Sequence, residues 1–228
     1  MKDFSESNIL AIDSSSRNLK LGLSYGGDRL VQSDESVGQE HGQVIVKKIS
    51  ELFQSAGISK DDLEAICVCT GPGSFTGLRI GLSAAKGMAV ALGVDVVGVS
   101  LFEVAAFKLR AENDPVSVII PLKRDEFFVG EVSGGEFVSD EIRVVTEQGL
   151  ADAVGQNAVA GFQFSLSERF PQVENPDLSS DVEYNAGDLI YLGRDRLSRG
   201  LIGDLSELEP LYVQKSQAEI RFEQRNRS

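Results

Sequence analysis

Apolar and polar positions follow two different periods along this chain, and together they predict a mixed α/β fold. Strands are predicted where short apolar runs end in turn residues, at residues 9–13, 20–25, 30–31, 65–70 and 95–99. Helices are predicted where apolar residues recur with helical spacing, at residues 41–56, 74–92 and 101–110. Gly57 and Gly93 directly follow the first two helical patterns, and Ser100 can cap the third.

The pattern becomes less regular beyond a candidate linker at Glu112–Pro115. Further strands are predicted at residues 116–120, 126–132, 158–162 and, as a pair, within 137–145. Further helices are predicted at residues 146–154 and 186–198. The sequence therefore predicts a first lobe over residues 1–111 and a smaller second lobe over residues 112–228, whose last segment is a candidate to return to the first lobe.

The helix predicted over residues 74–92 is apolar on more sides than one sheet can cover, and only Arg79 and Lys86 in it are charged. The helix over residues 41–56 carries a wide apolar stripe as well. Either the rest of the chain or a partner chain must cover these faces, and the pattern alone leaves both open. If a partner covers them, we expect Leu82→Glu to disrupt association and to spare the fold.

The motif GPGSFTGLRIG, starting at Gly71, joins a predicted strand to the start of a predicted helix. Its first three residues can make a tight turn, and Ser74 is placed to cap the helix. Free amides at such a helix end suit a phosphate or another anion. From the turn alone, a connection that needs glycine only for its backbone geometry is the better interpretation, because no Walker lysine follows.

Asp13 ends the first predicted strand, and three serines follow it. A carboxylate there can hold a metal-bound water near a phosphate, and the serines can donate hydrogen bonds to phosphate oxygens. The alternative is a turn in which the Asp and Ser side chains close a hairpin.

These segments together resemble the TsaB (YeaZ) family: the stretches ILAIDSSS, GQEHGQVIVKKISELF, GPGSFTGLRIGLSAAKG and ELEPLYVQ occur in order at similar spacing. The resemblance implies an α/β fold like that of the actin, sugar-kinase and Hsp70 ATPases (ribonuclease H-like), with two lobes of which the second is reduced. It implies a remnant nucleotide or anion pocket formed by Asp13, Ser14, Ser15, Gly71, Gly73, Ser74 and Arg79. It also implies a partner and dimerisation surface on the two long helices, formed by His41, Val44, Ile45, Ile49, Leu78, Leu82, Ala85 and Lys86.

The function that the resemblance implies is that of a non-catalytic subunit in tRNA modification. A TsaD-like subunit transfers a threonylcarbamoyl group to N6 of adenosine 37 in tRNAs that read codons beginning with A. This chain would bind and organise that subunit together with a TsaE-like ATPase, and would form a homodimer when alone. tRNA would be reached only through the complex, and ATP or ADP is a ligand of the complex that this sequence does not itself indicate.

Catalytic relatives in that pathway carry an H-x-x-x-H metal pair, where this chain reads Leu101 to Phe107 without a ligand pair. His41 is the only histidine, so we expect no metal site. Pro121 stands where the family usually has the aspartate of D-A-R, which argues against ATP hydrolysis. A stand-alone ATP-dependent phosphotransferase and a glycoprotease of the peptidase M22 type remain as alternatives.

Composition adds limits to this picture. The 228 residues are 42% hydrophobic and 25% charged, as in ordinary globular proteins, and the formal net charge is −13. That charge disfavours direct tRNA binding, because phosphates attract basic surfaces. The two cysteines, Cys67 and Cys69, share one predicted strand and are expected to be buried and reduced. No apolar run approaches a membrane span and residues 1–7 are polar, so we expect a cytoplasmic protein.

Overall fold

The computed structural model of the chain describes residues 4–109, 115–138, 142–170 and 179–211. Its strands are β1 (Ile9–Asp13), β2 (Asn18–Tyr25), β3 (Arg29–Ser36), β4 (Ala65–Gly71), β5 (Asp95–Ser100), β6 (Val116–Lys123), β7 (Glu126–Ser133), β8 (Glu136–Phe137), β9 (Arg143–Thr146), β10 (Ala158–Phe162) and β11 (Ser179–Val182). Its helices are α1 (His41–Ala56), α2 (Phe75–Leu92), α3 (Leu101–Leu109), α4 (Leu150–Val154), α5 (Leu166–Arg169) and α6 (Ala186–Ser198). Short 3-10 turns lie at Lys60–Asp62 and Glu147–Gly149.

Within the described residues, the strands form two sheets of the same design. The first has the order β3-β2-β1-β4-β5, with β1 antiparallel to β2 and parallel to β4. The second has the order β11-β10-β6-β7, with β6 antiparallel to β7 and parallel to β10, and β8 and β9 both pair with β7. Each half of the chain thus builds an antiparallel hairpin flanked by parallel strands. This duplicated topology confirms the predicted actin/sugar-kinase/Hsp70 ATPase-like fold.

The second lobe is the smaller one, as predicted. Its helices α4 and α5 have 5 and 4 residues, whereas α1 and α2 have 16 and 18. Helix α6 comes from the later half of the chain but packs on the first sheet, and α3 packs on β7 and β8 of the second. Gly193 of α6 allows this close approach, because a Cβ there would lie 1.9 Å from the Cys67 sulfur.

The buried side chains form a core on each side of each sheet. One cluster fills the space between the first sheet and helices α1 and α2. A second joins the two sheets through α3 and α6, and a third lies on the outer face of the second sheet. The segment after α6 also rests on the first sheet, where the Leu211 amide donates to the Thr70 carbonyl at 2.7 Å. The placement of the lobe boundary remains a prediction, because residues 110–114 lie outside the described residues.

Capping residues at the helix ends explain why most helices lie where the sequence predicted them. Gly57 ends α1 in the left-handed conformation, at φ 70°. Ser74 caps α2 by accepting a hydrogen bond from the Gly77 amide at 3.2 Å. Ser100 and Glu103 form reciprocal cap hydrogen bonds at the start of α3. The predicted helix end at Arg110, the linker over residues 112–114 and the tail over residues 213–228 lie outside the described residues.

Candidate functional site

A cleft of about 920 Å³ lies between the two sheets, in the region of the predicted anion pocket. One wall is formed by the β1–β2 turn and the Gly-Pro-Gly turn, through residues 15–18 and 72–74. The other is formed by Leu101 and the ends of β6 and β10, including Pro121, Phe162 and Gln163. The two halves of the duplicated fold therefore meet at this cleft, which is the place where ligands bind in such architectures.

Asp13 lies behind the cleft wall, with 1% of its surface exposed. Its Oδ1 accepts a hydrogen bond from the Ser15 amide at 2.8 Å, and its Oδ2 accepts one from the Tyr184 hydroxyl. Both carboxylate oxygens are therefore engaged by the chain itself. The first of these contacts is the Asx-type turn that the sequence allowed as an alternative to a ligand site.

Three glycines of the GPGSFTGLRIG motif line the contact between α2 and the serine turn. A Cβ on Gly73 would lie 2.4 Å from the Ser15 carbonyl oxygen, and one on Gly77 would lie 2.0 Å from the Ser14 carbonyl oxygen. A Cβ on Gly81 would lie 2.3 Å from Ser14 Oγ. Real Cβ atoms do not approach oxygen atoms this closely, so Gly73 and Gly77, which face backbone oxygens, require glycine, whereas a larger residue at Gly81 would have to displace the Ser14 side chain.

We call this contact, of Gly73, Gly77 and Gly81 against Ser14 and Ser15, the glycine seam. Hydrogen bonds also cross it. The Ser74 amide donates to the Ser15 carbonyl at 2.6 Å, and Ser14 Oγ donates to the Gly77 carbonyl at 2.7 Å. The start of α2 therefore faces carbonyl oxygens of its own chain. The glycines serve close packing, which is the interpretation that the turn alone favoured.

A row of charged residues crosses the first sheet beside the cleft. Asp13 on β1 pairs in register with Lys20 on β2, and Lys20 pairs in register with Asp34 on β3. The Lys20 ammonium forms an ion pair with Asp34 and lies 5.1 Å from the centroid of the Tyr184 ring. Lys20 is 3% exposed, so its charge is held by these neighbours rather than by water.

Burial determines the ionisation of the neutral groups near Asp13. Desolvation raises the pKa of the Tyr184 hydroxyl well above its usual value, and the charge of Asp13 raises it further. Desolvation also raises the pKa of the Cys69 thiol, with a contribution from Asp13, and that of the Cys67 thiol to about 12. Tyr184 is therefore a hydrogen-bond donor at every physiological pH, and both thiols stay protonated, as expected for inert buried cysteines.

The structure separates the residues that were predicted to form the anion pocket. Ser15, Gly73 and Ser74 line the cleft, whereas Asp13 and Ser14 lie behind its wall. Gly71 ends β4 with φ 106°, in a conformation that requires glycine. Arg79 does not line the cleft, and its guanidinium carbon lies 3.9 Å from the centroid of the Phe75 ring. The pocket as a ligand site stays a prediction, and Arg79 is the member that the geometry places elsewhere.

Sequence reasoning missed several residues of the cleft. The polar side chains that line it beyond the predicted set are Ser16, Arg17, Asn18, Lys20, Asp34, Ser36, Gln39, Gln163 and Glu183. A lysine inside the apolar run LKLGL was a local signal for Lys20, because an unpaired charge is not expected in a buried strand. Among the described residues, no group of three or more His, Cys, Asp or Glu side chains could hold a metal ion.

Known proteins resemble this chain in sequence and in architecture. A family model described as TsaD, tRNA N6-adenosine threonylcarbamoyltransferase, matches residues 33–165. The tRNA threonylcarbamoyladenosine biosynthesis protein TsaB of Escherichia coli is 31% identical over 58% of this chain and 56% of its own length. The structure of YeaZ from Pseudomonas aeruginosa is 26% identical with a TM-score of 0.72, and the match covers 91% of this chain and 100% of that one.

The chain belongs to the TsaB/YeaZ family. The alignment spans only about half, 56%, of the curated TsaB relative from Escherichia coli. A tRNA N6-adenosine threonylcarbamoyltransferase of Geotalea uraniireducens is 32% identical over 68% of this chain, but that match covers 38% of the enzyme's length. The family model's match over residues 33–165 includes both long helices and the three glycines of the seam, and the larger part of the Geotalea uraniireducens enzyme lies outside its match.

The outer face of the α1–α2 pair is the surface on which a TsaB/YeaZ-family interface was predicted. Most of the residues predicted to carry it are instead buried within this chain, with 5% or less of their surface exposed: His41, Ile45, Ile49, Leu78, Leu82 and Ala85. Val44 and Lys86 are partly buried. The expectation that Leu82→Glu would spare the fold is therefore wrong, because Leu82 is 4% exposed and belongs to the core beneath the two helices.

Other side chains occupy the outer face of this helix pair. Val46 is 73% exposed and Val90 is 76% exposed, so no described part of the chain covers them. A mainly apolar groove of about 520 Å³ lies along α1 and α2, and its lining includes Val46, Phe53 and Met88. Gly87 is exposed, and a Cβ there would meet nothing within 4 Å. The interface itself stays a prediction, and these residues are the ones that could carry it.

Proposed function

We propose that this chain is a non-catalytic subunit required for threonylcarbamoyl transfer to N6 of adenosine 37 in tRNA. Its membership of the TsaB/YeaZ family supports a role in the biosynthesis of threonylcarbamoyladenosine. In this proposal the chain binds and organises a TsaD-like catalytic subunit together with a TsaE-like ATPase, forms a homodimer when alone, and reaches tRNA only through the complex. ATP or ADP would bind at the complex.

The observation that carries this proposal is the uncovered apolar face of α1 and α2. Val46 is exposed and lines an apolar groove, which is unfavourable in water, and such patches mark protein interfaces. Lys47 and Lys60 flank this face and offer charges for a polar rim. A partner helix can approach α2 closely, because Ser83, Gly87 and Ala91 are small and exposed.

Reconstitution with the TsaD-like and TsaE-like subunits from the same organism tests the proposal. We expect Val46→Glu to fold normally and to weaken binding to the TsaD-like subunit about thirtyfold or more, because a charge would be desolvated in the contact. tRNA modification should fall in parallel. Gly87→Gln adds a side chain without adding charge, and it should weaken the same binding by steric obstruction.

Val138→Glu is the matched control, because Val138 is 55% exposed on the second lobe, away from the helix pair. The expected result is normal binding and normal modification for this variant. If Val46→Glu and Gly87→Gln bind and function like Val138→Glu, the partner surface is not on this face. Analytical ultracentrifugation of the same variants tests the homodimer separately.

The alternatives make different demands on the cleft. A stand-alone phosphotransferase needs free carboxylates for a metal–nucleotide complex, whereas Asp13 is engaged on both oxygens and Pro121 lines the cleft. Nucleotide turnover by the isolated chain would favour that alternative, and protease activity absent from an inactive control would favour a peptidase.

No helix in the described part of the chain combines enough length and apolar character to cross a membrane. We propose a cytoplasmic location.

A further inference from the structure

We propose that Tyr184 acts as a built-in partner of Asp13: its hydroxyl donates to the carboxylate oxygen that a hydrated cation would need, and the bond ties the segment before α6 to the first sheet. The two residues are 171 positions apart, so the contact joins the beginning of the fold to its end. This inference concerns the isolated chain and does not rest on the proposed function.

Packing fixes the Tyr184 ring from several sides. The ring stacks on Phe162 of β10, with centroids 4.9 Å apart and planes inclined by 24°. Lys20 lies on the ring at 5.1 Å and is itself paired with Asp34. The hydroxyl therefore cannot leave Asp13 without disturbing residues of both sheets, and Tyr184 is only 5% exposed.

The fold class implies a cleft for a metal-bound nucleotide, and the residues present do not fit that group. Each oxygen of the buried Asp13 carboxylate already accepts a hydrogen bond, one from the Ser15 amide and one from the Tyr184 hydroxyl. Among the described residues, Lys20 is the only lysine in the cleft lining, and it is paired with Asp34. The amide of Ser74, at the start of α2, donates to the Ser15 carbonyl. Asp13, Lys20 and the Ser74 amide are thus engaged by neighbours inside the described part of the chain.

The first arm of the test measures the bond between Tyr184 and Asp13. Tyr184→Phe leaves a buried carboxylate oxygen without its donor, so we expect the ratio of folded to unfolded protein to fall about tenfold to a hundredfold in urea titrations. Tyr191→Phe is the matched control, because Tyr191 also stacks on a phenylalanine, Phe107, but is 60% exposed. That variant should stay within about twofold of the wild type. Equal effects of the two substitutions would overturn the proposal.

The second arm measures access of a cation to Asp13. Manganese(II), alone and with ADP, is titrated into the full-length chain and followed by electron paramagnetic resonance. We expect any manganese signal to be the same for wild type and Asp13→Asn, because the carboxylate is enclosed. A saturable signal in the wild type that Asp13→Asn removes, with the variant shown to be folded by circular dichroism, would overturn the proposal. If Asp13→Asn does not fold, the comparison of Tyr184→Phe with Tyr191→Phe decides alone.

Discussion

The glycine seam makes a quantitative prediction for two substitutions in one helix. Gly77→Ala would place a Cβ 2.0 Å from the Ser14 carbonyl oxygen, and ordinary contact needs about 3.4 Å. Neither side can yield cheaply, because the obstacle is backbone rather than the end of a flexible side chain. Gly87→Ala, in contrast, would place its Cβ in open space on the same helix.

The magnitude follows from the contacts that must give way. Forcing a methyl group into a packed contact costs about 1–3 kcal/mol. Moving α2 away also weakens the Ser74–Ser15 and Ser14–Gly77 hydrogen bonds, each worth about 1 kcal/mol. The higher helix propensity of alanine returns at most about 1 kcal/mol. We therefore expect Gly77→Ala to destabilise the protein by about 3 kcal/mol and Gly87→Ala to stabilise it by about 1 kcal/mol.

Urea denaturation of both variants, followed by far-ultraviolet circular dichroism, measures the difference directly. Gly87→Ala is the control for helix propensity, because both substitutions change glycine to alanine within α2. If Gly77→Ala lies within about 0.5 kcal/mol of the wild type, the glycine at this position does not serve close packing and the reasoning fails.

Two further predictions concern buried groups of the first lobe. Leu82→Glu should lower the free energy of unfolding by more than about 4 kcal/mol, because it buries an unpaired charge; a folded variant of normal stability in the same urea assay would contradict the placement of Leu82. Burial raises the pKa of Cys67 to about 12, so the folded state holds this proton more tightly than the unfolded chain does. The stabilisation is complete below the pKa that the Cys67 thiol has in the unfolded chain, and it is lost as the pH rises above that value. The free energy of unfolding should therefore fall by up to about 1.4 kcal/mol per pH unit above about pH 9. The slope should be smaller in Cys67→Ala, and an unchanged slope would show that this thiol is not the cause.

Local sequence was sufficient for elements whose ends are set by their own residues. Helix α1 ends before Gly57 and α2 begins after Ser74, because caps act over one helical turn. Strand β11 and helix α5 were not predicted. Each has only 4 residues, and such short elements depend on pairing with distant neighbours rather than on their own periodicity.

The candidate site was predictable only in its position along the chain. Asp13 and the glycine motif were identified, but Tyr184, which donates to Asp13, lies 171 positions away, and no local sequence pattern predicts that contact. The sequence correctly predicted that α2 is apolar on several sides, but hydrophobicity alone does not show which side of the helix faces the core. Leu82 turned out to face the core and Val90 to face water. The assignment depends on how α2 is rotated, and the glycine seam sets that rotation.

The seam connects the cleft to the outer helical surface. Gly73, Gly77 and Gly81 hold one side of α2 against the serine turn beside Asp13, so the opposite side of the helix is directed outward. A displacement of that turn by a ligand in the cleft would have to move α2, because the closest contacts of Gly73 and Gly77 are with backbone carbonyl oxygens of the turn. The same close packing that rules out a phosphate between the turn and α2 therefore gives α2, with its exposed Gly87 and Val90, a fixed position relative to the cleft. A rigid face of this kind is what a subunit needs if it organises a partner rather than performing the chemistry itself.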